Sequence, residues 1–175
     1  MISIPVPERN DDLNIDKLIS QYGNSLLRMS YLYLKDIHLA EDAVQDTFIR
    51  VYKSYPQFKG DAELKTWIMR IAINVCKNYR RSSWWKRVDV LESLNSIPAE
   101  AGLIPDLRDD TLLLEIMRLS PKYKEVILLF YYQDMTTREI SQALNIPEST
   151  VSIRLKRARE KLKIKLKGWY YDDEN

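Results

Sequence analysis

The sequence predicts an all-α protein of two small helical domains joined by a linker. Three observations carry this. Apolar residues recur at helical spacing through both halves of the 175-residue chain. The stretch 88–110, with Pro98, Gly102 and Pro105, interrupts that pattern. Charge is segregated although the net charge is only +2: residues 77–87 and 154–167 are basic, whereas 89–115 hold Asp89, Glu92, Glu100, Asp106, Asp109, Asp110 and Glu115 against Arg108. Different stretches therefore meet different partners.

The opening "MISIPVPERNDD" lacks a basic start and a long apolar run, so it is not read as a signal peptide. Ile15, Leu18, Ile19, Tyr22, Leu26, Met29 and Tyr33 then step along one face of a first helix. The turn "KDIHLAED" ends it, with Asp36 or His38 near the next cap; His38 reads as a capping or solvated group rather than a ligand or pH sensor. A helix over 39–55 should bury Ala40, Ala43, Val44, Thr47, Phe48, Val51 and Tyr52 and show Asp42, Gln45, Asp46, Ile49, Arg50 and Lys53. An exposed Ile49 framed by carboxylates and an amide fits a protein-binding anchor with a polar rim. It fits a solvated face with one isoleucine equally well.

A loop pivoting on Gly60-Asp61 leads into a helix over 63–81 that should bury Leu64, Trp67, Ile68, Ile71, Ala72, Val75 and Tyr79. Its other stripe is Arg70, Asn74, Lys77, Asn78 and Arg81, basic and amide-rich with no carboxylate, which suits phosphates and base edges. In "RRSSWWKR", Trp84 and Trp85 fit either base stacking or packing back over the domain edge. Adjacent helical residues point apart, so at most one shares the basic face. The linker that follows is acidic yet carries Val90, Leu91, Leu94, Ile97, Leu103, Ile104 and Leu107, which could dock on a partner.

The C-terminal half reads as a helix-turn-helix. "PKYKEVILLFYYQD" is a supporting helix with Val126, Ile127, Phe130 and Tyr131 turned inward. Thr136 with Glu139 three residues on is a capping-box pattern, followed by Ile140, Ala143 and Leu144 as an apolar side. Asn145 stands in the turn, where asparagine tolerates the left-handed conformation, and Pro147 suits a helix start. Val151, Leu155, Ala158 and Leu162 then form a buried stripe. Opposite it lie Ser149, Ser152, Ile153, Lys156, Arg157 and Glu160, a face that suits a major groove, where an isoleucine can meet a thymine methyl. The tail "GWYYDDEN" reads as frayed, its aromatics available to cover the last helix.

Composition argues against other classes. Cys76 is the single cysteine, so no internal disulfide forms; it reads as a small buried hydrophobe in a reducing compartment, the cytoplasm. One histidine and one cysteine supply no metal cluster, and four scattered glycines supply no phosphate-cradling loop. Neither an enzyme, a cofactor nor a small-molecule substrate is expected, and no apolar run is long enough to span a membrane.

With both halves in view the chain resembles the extracytoplasmic-function (ECF) sigma factors of the sigma-70 family, bacterial initiation subunits of RNA polymerase. The resemblance rests on "HLAEDAVQDTFIRVYKSYPQFKGDAELKTWIMRIAINVCKNYRR" and "LSPKYKEVILLFYYQDMTTREISQALNIPESTVSIRLKRAREKL", in that order. It implies a sigma-2-like helical bundle over 12–83 and a sigma-4-like helix-turn-helix over 111–167, with 1–11 as a flexible N-terminus, 84–110 as linker and 168–175 as tail. It further implies that Asp42, Gln45, Asp46 and Ile49 grip the β′ coiled coil of core RNA polymerase, with the β subunit also contacted. By the same resemblance Phe58, Ile71 and Asn74, around the Lys59–Glu63 loop, capture a base flipped from the non-template strand at the minus-ten element. Lys77, Asn78 and Arg81 hold the neighbouring backbone. Ser149, Thr150, Ser152, Ile153, Arg154, Lys156 and Arg157 match the helix that reads promoter DNA at the minus-thirty-five element. The family commonly has a basic residue where Ser152 stands and a small polar one where Ile153 stands, a departure that falls on the helix face matched to DNA reading. The linker matches a segment threaded toward the RNA exit channel. An anti-sigma factor, often membrane-bound, is a further implied partner and would hold the chain at the inner face of the membrane. The rival from another class is a free-standing helix-turn-helix repressor or activator, which would bind a palindromic duplex by itself.

Overall fold

A computed structural model describes residues 13–81 and 110–172, with side chains over 13–81 and 111–166. The N-terminal stretch, Trp84 and Trp85, the acidic linker and the tail aromatics lie outside these described parts. The described residues form seven α-helices with no strand.

Helix α1 (Ile15–Leu34) starts where the Asn14 side chain accepts the Lys17 N–H at 2.8 Å. It ends at Lys35, whose left-handed φ of 64° breaks the helix. Asp36 at once caps α2 (Ile37–Ser54) by accepting the Leu39 N–H at 2.9 Å. So short a turn makes α1 and α2 antiparallel neighbours. A 3-10 turn over Tyr55–Gln57 and a loop lead to α3 (Leu64–Arg81), which packs across both.

The second unit begins with α4 (Asp110–Arg118) and α5 (Pro121–Ile127). There the single supporting helix expected from the sequence changes pitch. Leu128–Tyr132 is a π turn, and Asp134 follows with a φ of 49°. The wider turn rotates the side chains, so Tyr131 is 52 % exposed instead of inward. Helix α6 (Thr137–Leu144) and helix α7 (Glu148–Asp172) complete it, α7 continuing helical where a frayed tail was expected.

Both units share one continuous apolar core. Along α1 the expected face buries Leu18 and Leu26 but leaves Ile19 exposed, and from Met29 to Leu34 every residue is buried. The reason is tertiary: α2 and α3 cover one side, and α4, α5 and the π turn of the second unit cover the other. Helix α3 likewise packs against α6. Polar contacts cross this junction too, with Gln133 Nε2 donating to the Ser25 carbonyl at 2.9 Å and the Tyr33 hydroxyl donating to Glu125 Oε1 at 3.0 Å.

Candidate nucleic-acid interface

The helix-turn-helix is locked by its own polar groups. Glu139 accepts from the Thr136 N–H and hydroxyl, both at 2.7 Å, and the Thr136 oxygen accepts the Glu139 N–H at 3.3 Å. That reciprocal bonding holds the Glu139 carboxyl below the usual carboxylate range. Asn145 takes the left-handed conformation with φ 52°, and its N–H closes on the Ser141 carbonyl. The Thr137 hydroxyl donates to Glu148, tying the start of α6 to the start of α7. Val151, Leu155, Ala158 and Leu162 are buried as expected, which turns Ser149, Ser152, Ile153, Lys156 and Arg157 to solvent. Thr150 and Arg154 stand half-buried at the edge of that face.

The α3 stripe comes out differently. Asn74, Asn78 and Arg81 are exposed. Arg70, however, donates through Nη2 to the Gln142 carbonyl on α6 at 2.7 Å. Lys77 pairs with Glu125 on α5, Nζ to Oε2 at 3.2 Å. The stripe has no carboxylate of its own, but the fold delivers one from 48 positions away along the chain. Glu125 is buried and also accepts the Tyr33 hydroxyl, so burial and the adjacent carboxylate push that phenol well up. Beside it Lys124 is buried with Nζ donating to the Met117 carbonyl at 2.7 Å. Desolvation, aided by Lys35 and Arg80, pulls its pKa down to about 7.

Near the Lys59–Glu63 loop a pocket is lined by Phe58, Lys59, Asp61, Trp67, Arg70 and Gln142, among others. Phe58 and Trp67 rings lie 4.8 Å apart. Trp67, expected in the core, is half-buried here. Ile71 and Asn74 lie further along α3 and do not line this pocket, Ile71 packing against the core and Asn74 facing solvent.

On α2, Asp42, Gln45 and Ile49 are exposed, Ile49 at 50 %. Asp46 is instead half-buried and accepts the Tyr79 hydroxyl at 3.0 Å. Burial and that bond push Tyr79 up to about 12. Tyr52 and Ile19, both expected inside, are exposed at 49 % and 45 %. They line an open apolar groove with Ile15, Val44, Phe48 and Ile49. Cys76 is fully buried against Ser30, and burial pushes its thiol up to about 11, away from reactivity.

Residues 18–86 match the family described as Sigma-70 region 2, and residues 109–162 match Sigma-70, region 4. Similar proteins include the ECF RNA polymerase sigma factor SigW of Bacillus subtilis, 29 % identical, with 86 % of this chain and 87 % of that protein covered. Another is SigM of the same organism, 29 % identical over 86 % of this chain and 94 % of the relative. Among solved structures, the sigma factor RpoE of Bartonella quintana in complex with the anti-sigma factor NepR aligns with a TM-score of 0.69. It is 21 % identical, with 88 % of this chain and 97 % of that one covered. CnrH in complex with the cytosolic domain of CnrY aligns at 0.66, with 22 % identity and 88 % of each chain covered.

The chain is an ECF sigma factor of the sigma-70 family.

In this sigma factor, region 2 comprises α1–α3 and region 4 comprises the helices from α4 onward. Sequence reasoning missed Gln142 and Glu125, which region 4 presents to region 2. Glu125 sits in a helix with no pattern to mark it, and only the docking of that helix on α1 and α3 gives it meaning. Trp67 could have been found: it lies nine residues after Phe58 and within one turn of Arg70, close to a loop with Gly60 at φ 74°.

Proposed function

We propose that this sigma factor binds core RNA polymerase and directs it to promoters, region 2 (bounded as 12–83) serving the polymerase and the minus-ten element and region 4 (111–167) the minus-thirty-five element. The observation that carries the reading is the pairing of the two sigma-70 regions, in order, with an exposed basic helix closing the second. Asp42, Gln45 and Ile49 beside the apolar groove of α1 and α2 are the seat of the β′ coiled coil, an apolar anchor with a polar rim. Asp46 joins them through its bond to Tyr79. The groove lined by Leu112, Ile116, Tyr131 and Leu162 offers region 4 a contact for the β subunit.

A base flipped from the non-template strand stacks at Phe58 and Trp67. Stacking worth about 1–3 kcal/mol per base offsets the few kcal/mol of unstacking. Ile71, Asn74, Lys77, Asn78 and Arg81 follow the strand along α3. On α7, Ser149, Thr150, Ser152, Ile153, Arg154, Lys156 and Arg157 meet the duplex. An anti-sigma factor is a further partner, supported by the two aligned structures solved with one. The chain performs no catalysis and works in the cytoplasm; no described helix is long and apolar enough to cross a membrane.

Run-off transcription with cognate core polymerase on a fragmented genomic library tests this. Discrete start sites that appear only with the chain present are expected. Asp42→Lys should abolish co-elution with core while leaving helical content unchanged, and wild-type affinity after that reversal would sink the assignment of the α2 face.

A further inference from the structure

Over its first three turns the exposed face of α7 is polar except at Ile153; Ile164, 69 % exposed, lies on the same side of the helix three turns further on. A helix advances about 100° per residue, so Ile153, two residues past Val151, lies about 200° round from the buried stripe, at the middle of the exposed face. Ser149 and Lys156 flank it on one side and Arg157 on the other, all exposed. Ile153 is 52 % exposed and belongs neither to the core nor to the half-buried shell around it. A lone exposed isoleucine is ordinary on a protein surface; one centred among hydrogen-bonding groups on a groove-reading helix is not explained by folding.

Several neighbours are already committed. The Ser152 hydroxyl donates to the Glu148 carbonyl at 3.2 Å. Arg159 donates to the Tyr131 hydroxyl at 2.8 Å and lies over the Phe130 and Tyr131 rings, 5.2 and 5.6 Å from their centroids. Thr150 and Arg154 are turned toward the edge. The centre of the face is left to Ser149, Ile153, Lys156 and Arg157, with the exposed Glu160 two turns beyond Ile153 on the same line. Of the groups that mark base pairs in a major groove, the thymine 5-methyl alone is apolar; the rest are hydrogen-bond donors and acceptors.

We propose that Ile153 reads a thymine 5-methyl in the minus-thirty-five element, with Lys156 and Arg157 gripping the DNA on either side of it. The inference rests on the placement of α7 in the groove and adds a base preference to it. Carrying the apolar reader at the centre of the face, this sigma factor requires thymine where a purely polar face would seek donors and acceptors.

Deoxyuridine provides the test, because it removes the methyl and leaves every hydrogen-bonding group of thymine in place. Holoenzyme assembled from cognate core and the full chain first selects its promoter from randomised duplex. Each thymine of the recovered upstream element is then replaced singly by deoxyuridine. One position should weaken binding about fourfold, the equivalent of about 0.8 kcal/mol for a buried group of methyl size. Ile153→Ala should bind the thymine and uridine duplexes alike, and Ile153→Val should retain part of the difference. An unchanged melting temperature in both variants shows that the exposed position is not structural. Indifference of the wild type to uridine at every position, an upstream element without thymine, or undiminished discrimination in Ile153→Ala each overturns the proposal. A holoenzyme that recovers no upstream element at all overturns the groove placement itself, a different failure.

Discussion

The two surfaces proposed to meet DNA differ in how available they are. On α7 the reading residues face solvent, held by a helix-turn-helix whose capping and turn bonds are internal to region 4. On α3, Arg70 and Lys77 are engaged by Gln142 and Glu125 of region 4, while Asn74, Asn78 and Arg81 remain exposed. The same chain thus shows one proposed DNA surface and partly covers the other with its own second domain. Elements about 25 base pairs apart lie about 85 Å apart at 3.4 Å per step, whereas a compact chain of this length has a radius of gyration of about 16 Å. The packed arrangement cannot reach both elements together. If the proposed sites meet both elements at once, region 4 leaves α3 and the contacts at Glu125 break.

The largest expected effect therefore lies at Glu125. Removing one partner of a buried ion pair costs about 3 kcal/mol, and here Lys77 and the Tyr33 hydroxyl both lose their acceptor. Glu125→Ala should move the units apart, read as a longer distance between dyes on α2 and α7, and should raise affinity for single-stranded minus-ten DNA. An unchanged dye distance would mean that apolar packing of α6 on α3 holds the units unaided. Affinity of the free chain for minus-thirty-five duplex should not change.

Next is a contrast between cations on the two faces. Arg157→Ala should weaken binding of the free chain to minus-thirty-five duplex by about 2 kcal/mol if it touches a base. Lys77→Ala should leave that binding alone. If the loss at Arg157 were uniform over all sequences, with a shallower salt dependence, Arg157 would be a phosphate contact.

A pH effect on the order of 1–2 kcal/mol follows at Lys124. In the packed fold its pKa is lowered to about 7 by desolvation, then by Lys35 and Arg80, with the Tyr33 ring also facing it. The unfolded chain keeps that proton until about pH 10.5, so it binds more protons than the native state between the two values. Stability should rise with pH across that window and level off at its lower value below about pH 7, where both states carry the proton. Denaturant melts of the wild type and Lys124→Met at pH 7 and 8.5 should show the gain in the wild type alone. Equal slopes would show that Lys124 is hydrated.

The smallest effect is internal to region 4. Thr136→Ala removes the α6 cap and should cost about 1 kcal/mol. Because the α7 face depends on region 4 alone, this variant should weaken minus-thirty-five binding on warming without altering the dye distance that reports on Glu125.

Much of region 4 was legible because its signals are local. The Thr136–Glu139 box, the left-handed Asn145 and the stripe from Val151 to Leu162 each depend on residues a few positions apart, and helix geometry alone relates them. The α2 face was legible in part. Asp42, Gln45 and Ile49 point outward as the period requires, but Tyr52 and Ile19 also emerge, because two neighbouring helices leave a groove between them that no single-helix period describes. Tyr131 was misread for another reason, since a π turn resets the phase that the 3.6-residue count assumes.

What the sequence determined by itself is the set of helices, their apolar faces, the helix-turn-helix and the family, all of which follow from short-range periodicity and from motifs in order. Only the tertiary structure decided that Met29–Leu34 is covered on every side, that Lys77 is neutralised by Glu125, and that Arg70 reaches Gln142. Those facts depend on residues more than forty positions apart meeting at one junction. A charge written in the sequence says nothing of its partner until packing brings the two together, because Coulomb attraction and desolvation act through space and not along the chain.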